Sequence, residues 1–588
     1  MSETTFMIPR ATGTHADVLL AVGLAALLAS GDEDTAVRIR QTGASFEVTA
    51  PTDGTLAERL DPGAGYQFLR PRAKVAVPAE VHWVFDYEEV KKQVARFHEL
   101  RQMQQKSGSL DPEAQAWLQQ HEPPSSWRQW QVLNLLQGYA NTNRVHTLLA
   151  GLPKEKARDA IARGLAALQE GRPSGANWGV SSVQLFNPNA AKGYARLKPD
   201  TTDRNDKTKE GWVDSFVEWL RYRGYFVAAC PFYLDRKAER IRLLCPIPAD
   251  ISLAGYRDVA ESLRAEARVR GGEPRVDALA LLYLARLLIE RSEMSAASVS
   301  SPGRVRFRLR GRTPARIISG VAITQYTSLG SARAVSQLNT LALPDWFDID
   351  SPEDARTWLE VLDEHRRVVS GLRDDRSDEV GLALDYRRFL QQRGRPALDA
   401  LVAFMGVYGA FLLRAREQKR RVAQFTTVNL HALVRRMMAE YLNILDDAGF
   451  QAVAAAVRRS TVSAQALKAR GASNYREIRY DLLSDIRRKR EVPNALVERV
   501  ADFVAQYNYE NARRREMGQM APRNVTTEEL RGFTGLVERY GAPLVGSLLA
   551  AYGSCREPRE DPPEQAPETE TTEDVPAVDV NESAGTEE

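Results

Sequence analysis

Between residues 304 and 312 arginine occupies every second position: Arg304, Arg306, Arg308, Arg310 and Arg312 alternate with Val305, Phe307, Leu309 and Gly311. Side chains of a β-strand point alternately to opposite faces. A strand here therefore sets five guanidinium groups in one row, about 6.6 Å apart, with the apolar residues behind them. Such a row repels itself unless an anion lies opposite, and the planar guanidinium fork suits phosphate better than an ammonium does. The alternative is an edge strand that charge protects against aggregation. So regular a ladder exceeds what edge protection needs, and the pattern predicts contact with a nucleic-acid backbone.

A second group surrounds Phe186-Asn187-Pro188-Asn189 and continues through Lys192, Gly193 and Tyr194 to Arg196 and Lys198. Asparagine offers a donor and an acceptor to base edges, and glycine lets a backbone come close. Lysine and arginine at these positions would hold phosphates. The same residue types also make turns for local reasons, so composition leaves both readings open. A third group lies in residues 414–515, starting with RAREQKRR at 414–421. It includes Arg458, Arg459, Lys468, Arg470, Arg476, Arg479, Arg487, Arg488, Lys489, Arg490 and Arg513–Arg515, and between Arg435 and Arg515 sixteen bases face ten acids. Spacing by three sets Arg476 with Arg479, and Arg487 with Arg490, on shared helical faces. The alternative is a solvated helix surface.

Other chemistries leave no trace in the sequence. There is no phosphate-cradling G-x-x-x-x-G-K-[ST], no H-E-x-x-H and no paired C-x-x-C. The seven histidines never stand at metal-ligand spacing, and Cys230, Cys245 and Cys555 are too few and too scattered for a disulfide framework or a zinc site. Asp345, Asp348, Asp350, Glu353 and Asp354 could gather around magnesium. Ser351-Pro352-Glu353-Asp354 is also a helix start, with a cap, a first-turn proline and acids at the positive dipole end, and that reading is preferred. The sequence thus predicts no metal, no cofactor and no catalysis. A metal-dependent nuclease built on Asp345, Asp348 and Asp350 stands as the alternative, beside a stand-alone RNA-binding protein.

These groups need elements to position them. A chain of 588 residues exceeds one core, and 43% hydrophobic with 27% charged residues is an ordinary globular balance. Residues 557–588 hold twelve acids and one base, Arg559, leaving 79 Lys+Arg against 65 Asp+Glu in residues 1–556. The apolar run Val18–Ala29 is too short to cross a bilayer and lacks a basic leader, so it reads as a buried helix started by Thr14 and Asp17. With so few cysteines, a reducing, cytoplasmic setting is expected. AVRIRQTGASFEVTAP reads as a hairpin turning at Thr42-Gly43. Residues 89–170 read as helices broken at Pro123-Pro124 and at Gly151-Leu152-Pro153. Trp212, Phe216 and Trp219 share one face of a helix over 212–223. GYFVAACPFYL and ERIRLLCPIP read as strands, 277–291 as a helix, and 351–555 as almost wholly helical with breaks at Gly394-Arg395-Pro396, Gly471 and Pro493. The fold class is α+β: a mixed region with small antiparallel sheets over 1–350, an all-α helical bundle over 351–555, and an acidic tail over 556–588 that should remain disordered.

The sequence resembles the large subunit of type I CRISPR effector (Cascade) complexes, in its Myxococcus-type and B-type forms. Four stretches carry the likeness: GTHADVLLAVGLAALLA with the hairpin after it; LFNPNAAKGYARLK leading to a tryptophan-bearing helix and the glycine of RYRGYF; ALDALVAFMGVYGAFLLRAREQKRRVAQFTTVNL; and NYREIRYDLLSDIRRKREVPNALVERVADFVAQYNYENARRR, similar to the helical-bundle small subunit (about 421–516). Members are not catalytic. The resemblance implies that the chain sits beside guide RNA and other complex subunits, tests double-stranded target DNA for a short flanking motif (the PAM), helps open the duplex and form the R-loop, and docks a separate helicase-nuclease or transposition adaptor. Protein reading the PAM while base pairing reads the target is the general division of labour. It implies base contact by Asn187, Asn189 and Lys192 and flanking phosphates at Arg196 and Lys198. The arginine ladder would hold guide or target backbone. Single-strand tracking falls to Arg476, Arg479, Arg487 and Arg490, with stacking on Tyr475 or Tyr480. Met437 or Met438 marks a place where a bundle-only product could start, although both also suit a helix core. No membrane role is implied.

Overall fold

The computed structural model describes residues 2–29, 37–52, 67–176, 178–180, 183–188, 214–235, 239–266, 271–295, 306–330, 332–347, 349–471 and 475–557. Asn189, Lys192, Arg196, Lys198, Trp212, Arg304, Asp348 and the tail from Pro558 lie outside the described residues.

Strand β1 (Ser2–Pro9) leads into helix α1 (His15–Leu28). The Thr14 side chain accepts from the Ala16 amide, and the Asp17 carboxylate accepts from the amides of Thr12 and Gly13. Every residue of α1 is buried, the fate of a helix that is apolar all round. β2 (Arg38–Thr42) and β3 (Ser45–Thr52) make the expected hairpin, whose turn puts Gly43 at φ +54°. That left-handed backbone favours glycine. β4 (Phe68–Arg70) pairs in parallel with β5 (Val84–Asp86). Five helices follow: α2 (Tyr87–Ser107), α3 (Pro112–Gln120), α4 (Trp127–Leu135), α5 (Tyr139–Gly151) and α6 (Lys154–Gln169). Their breaks include both proline sites expected from the sequence.

Helix α7 (Ser215–Ala228) buries Phe216 and Trp219 as expected, yet it runs through Gly224–Ala228, which the sequence reading assigned to a strand. Strand begins only at β6 (Cys230–Tyr233), followed by β7 (Arg240–Pro248), β8 (Asp250–Ser252), α8 (Leu253–Glu266) and α9 (Glu273–Glu290). The reason lies in packing. α7 crosses α1 with glycine against backbone: a Cβ at Gly224 would stand 1.9 Å from the Leu19 carbonyl oxygen, and one at Gly23 1.9 Å from that of Leu220. The buried crossing overrides the weak strand propensity of a short aromatic run. β9 (Ile318–Leu329) and β10 (Ala332–Ala342) complete the N-terminal region. Two four-stranded antiparallel sheets result, ordered β1-β3-β2-β8 and β10-β9-β7-β6.

The remainder is helical: α10 (Pro352–Ser370), α11 (Ser377–Leu390), α12 (Gly394–Glu417), α13 (Thr427–Met437), α14 (Leu442–Leu445), α15 (Ala448–Ser460), α16 (Val462–Ala469), α17 (Leu482–Lys489), α18 (Pro493–Glu516), α19 (Thr527–Tyr540) and α20 (Ala542–Ser554). The protein is α+β, with its small antiparallel sheets before residue 343 and helices after it. Ser351 and Asp354 form a complete capping box at α10, the local role expected of that acidic stretch. α12 is long and apolar enough to cross a membrane, but 67% of its apolar window is buried inside the fold, as in a core helix.

Candidate nucleic-acid interface

The Asn187 corner is held from three sides. His15 bonds the Leu185 carbonyl through Nε2 (2.7 Å) and Thr324 Oγ1 through Nδ1 (2.6 Å). A carbonyl can only accept, so Nε2 carries the hydrogen and Nδ1 accepts from the threonine hydroxyl. The Tyr326 hydroxyl donates to the Gln184 carbonyl (3.1 Å), and the Gln184 side chain donates to the Arg333 carbonyl (3.1 Å). Phe186 is buried edge-on to Tyr222 and Tyr225, each 5.8 Å away. It also walls a small cavity shared with Glu218 and Trp219. Burial raises the Glu218 carboxyl above its ordinary range, and Arg221 at 2.6 Å opposes that rise. Asn187 closes the turn with its amide on the Val183 carbonyl (2.8 Å), and its buried Oδ1 has no hydrogen-bond partner among the described residues. Asn189, Lys192, Arg196 and Lys198 lie outside the described residues, so Asn187 alone of that set can be located.

The arginine ladder is corrected in two respects. Residues 306–312 are not a strand: one bridge, Phe307 to Ser292, is all the pairing they have among the described residues. The Glu293 carboxylate accepts from the amides of Leu309 and Arg310. The Arg312 amide then reaches back to the Leu309 carbonyl (2.7 Å) across Gly311 at φ +65°. This turn takes Arg312 out of the row. The alternation itself survives for Arg306, Arg308 and Arg310, which are exposed while Phe307 and Leu309 are buried. Arg304 lies outside the described residues.

In the helical region the structure redistributes the expected residues. Arg476 and Arg479 lie in the extended segment before α17, so they share no helical face. Arg476 is withdrawn as a single-strand contact. It is 5% exposed, stacks 4.2 Å over the Tyr507 ring and bonds Asn511, the Tyr507 carbonyl and Glu510. Burial lowers its pKa from the ordinary arginine value, and Glu510 opposes that shift. Arg487 sits over Gly406 of α12, and Arg490 donates to Ser547 of α20 (2.7 Å) and to Glu491 (3.1 Å). Both are half-buried.

Near them a track of cationic side chains, interleaved with the carboxylates of Glu417 and Glu510, begins at the end of α12. Arg416 donates to the Val462 carbonyl (3.4 Å) and to Gln424 (2.9 Å). Burial, with the like charges of Arg556 and Arg470 adding to it, lowers the Arg416 guanidinium below its ordinary value. Glu417 accepts from the Tyr480 hydroxyl, Lys468 (2.9 Å) and Gln465 (3.0 Å), which hold its carboxyl at about 2. The Arg479 amide bonds the Ser460 carbonyl (2.9 Å) and its side chain bonds Gln506 (2.6 Å), while the neighbouring Arg459 reaches the Tyr507 hydroxyl (3.4 Å). Arg514 donates to the Tyr475 carbonyl (2.8 Å) near the end of α18. Tyr475 and Tyr480 are exposed along this path, and Tyr509 is 72% exposed. Cationic side chains beside exposed aromatic rings suit a single-stranded nucleic acid, whose phosphates take the charges and whose bases take the rings.

No protein-family model matches this chain, and no curated protein does either. The site therefore rests on its own geometry. Arg459, Lys468, Arg470 and Arg514 stand on the track although the sequence reading did not select them as site residues. The visible signal was the excess of bases over acids between Arg435 and Arg515, which does not say which bases meet. For the alternative of an acid-built metal site, Asp345 pairs with Arg393 at 2.8 Å and Asp354 is committed to the α10 cap. Among the described residues, no three or more His, Cys, Asp and Glu side chains gather as metal ligands.

Proposed function

We propose that this chain grips nucleic acid as the large, non-catalytic subunit of a type I CRISPR-like surveillance complex, with single-stranded DNA lying along the helical track. The observation that carries this reading is the run Arg416–Lys468–Arg479–Arg459–Arg514 beside the exposed Tyr475 and Tyr480. The sequence resemblance supplies the complex, the guide RNA, the PAM and the recruited effector. The track supplies the physical means of holding a displaced strand. In this reading the Asn187 corner faces the duplex and the exposed Arg306, Arg308 and Arg310 hold backbone phosphates.

The test is binding of a labelled single-stranded oligonucleotide across a salt series. Replacing Arg459→Glu and Arg479→Glu together is expected to weaken binding at least tenfold at low salt. It should also reduce the slope of log K against log salt by about 1.4, two single-strand phosphates at about 0.7 each. Unchanged affinity and slope would remove the track as the binding surface. Stable co-purification with repeat-derived RNA and several partner subunits is the outcome expected at the level of the complex.

A further inference from the structure

The last described residues are fixed to the helical region. The Arg556 amide donates to the Phe425 carbonyl (2.8 Å) and the Thr427 amide to the Arg556 carbonyl (3.0 Å), while Gln424 donates to the Ser554 carbonyl (2.8 Å). The last described residues thus lie between α12, α13 and α15. That point is cationic: Arg416 feels the charges of both Arg556 and Arg470, and Arg458 lies below them over the Tyr552 ring at 5.4 Å. Arg470 and Arg556 are exposed, and neither has a salt-bridge partner among the described residues. Glu557, the first acid of the acidic tail, is already paired with Arg458. Eleven further acids follow, from Glu560 to Glu588, against the single base Arg559.

We propose that this acidic C-terminal segment docks on the arginines at its own exit, Arg470 and Arg556, extends toward Arg459, and competes there with nucleic acid. The first contact is in place at Arg458 and Glu557, and each carboxylate beyond it is tethered to the same patch. A ligand joined to its site through the chain itself is presented at an effective concentration on the order of millimolar, enough for contacts too weak to form between separate molecules. From Pro558 to Glu588 the chain can span at most about 100 Å. Weakly bound nucleic acid is then excluded, and only a ligand with many phosphates displaces the segment. The competition rests on the nucleic-acid reading above; the docking does not.

Two measurements on the full chain separate them. In one variant the eleven acids from Glu560 to Glu588 become their amides. Arginine reactivity toward phenylglyoxal, read residue by residue by mass spectrometry, is expected to be lower at Arg459, Arg470 and Arg556 in the native chain. The difference should vanish at high salt, where surface attraction is screened. Oligonucleotide affinity is expected to rise roughly tenfold in the variant at low salt, the competition factor for a millimolar tethered ligand of about 0.1 mM affinity. Equal reactivity in the two chains overturns the proposal. So does a reactivity difference accompanied by equal DNA affinities. If reactivity differs and neither chain binds DNA, the docking stands and the nucleic-acid reading falls.

Discussion

His15 shows how one side chain holds a candidate site without touching its ligand. It joins α1 to β9 through Thr324 and to the Asn187 corner through the Leu185 carbonyl. Burial, the main cause, holds its pKa down at about 4 from an ordinary 6.5, with Arg221 adding to the shift and the Leu185 bond opposing it. The folded protein thus keeps a neutral imidazole where the unfolded chain would take a proton. Stability is full above pH 6.5 and is lost as the pH falls from there toward 4, where the folded form protonates as well. A shift of this size is worth on the order of 3 kcal/mol. His146, held at about 4, and His365, at about 3, act in the same direction. Urea denaturation at pH 7 and pH 4.5 is expected to show this loss, and His15→Gln should flatten part of it. An identical pH profile in the variant would mean that His15 does not titrate as its burial requires.

At the scale of elements, helix crossings decide more than local pattern does. Gly224 lets α7 meet α1 backbone to backbone. Gly224→Ala forces a Cβ into the Leu19 carbonyl, and overpacking of this kind costs about 1–3 kcal/mol or more. Gly381 is the control: it lies inside α11 with nothing within 4 Å of its Cβ position, and alanine there is expected to stabilise by about 0.5–1 kcal/mol. Thermal denaturation of the two variants should shift in opposite directions. The same contrast explains what the sequence could reveal. The Thr42-Gly43 hairpin, the Thr14 and Ser351 caps and the proline breaks depend on neighbours a few residues away and were legible. β1 and β7 find partners far along the chain, β1 on β3 and β7 on β9, so strand pairing there draws on distant residues; β10 pairs only with β9 next to it, as a local hairpin. The arginine row read correctly in its in–out alternation and wrongly as a five-membered strand. Its register ends on Glu293, a residue eleven positions before its first arginine. Arg476 read as a surface cation for a similar reason: its partners Tyr507, Glu510 and Asn511 come from α18.

At the scale of the molecule, the buried side chains form one cluster that extends from Phe6 to Cys555, and a charged junction lies inside it. Arg242 of β7 and Asp277 of α9 are both 0% exposed and meet through two hydrogen bonds, Nε to Oδ1 at 2.6 Å and Nη2 to Oδ2 at 2.7 Å. Arg387 of α11 adds a third bond to the same carboxylate at 2.9 Å, and Gln325 and Gln337 bind the remaining face of Arg242 at 2.6 and 2.8 Å. One carboxylate thus ties the second sheet to the helical region. Removing it leaves the buried guanidinium with only the more distant Glu273 (3.8 Å) as counter-charge, which costs about 3–5 kcal/mol because the charge has been taken from water and has lost its nearest partner. Asp277→Ala is therefore expected to lower stability by that amount and to speed amide exchange in β7 and in α11 together. Arg387→Ala leaves the Arg242–Asp277 pair intact and exposes only its own partly solvated site. It should cost much less stability yet loosen α11 selectively. If Asp277→Ala speeds exchange in β7 while α11 stays protected, the junction does not couple the two regions, and the helical track moves independently of the Asn187 corner.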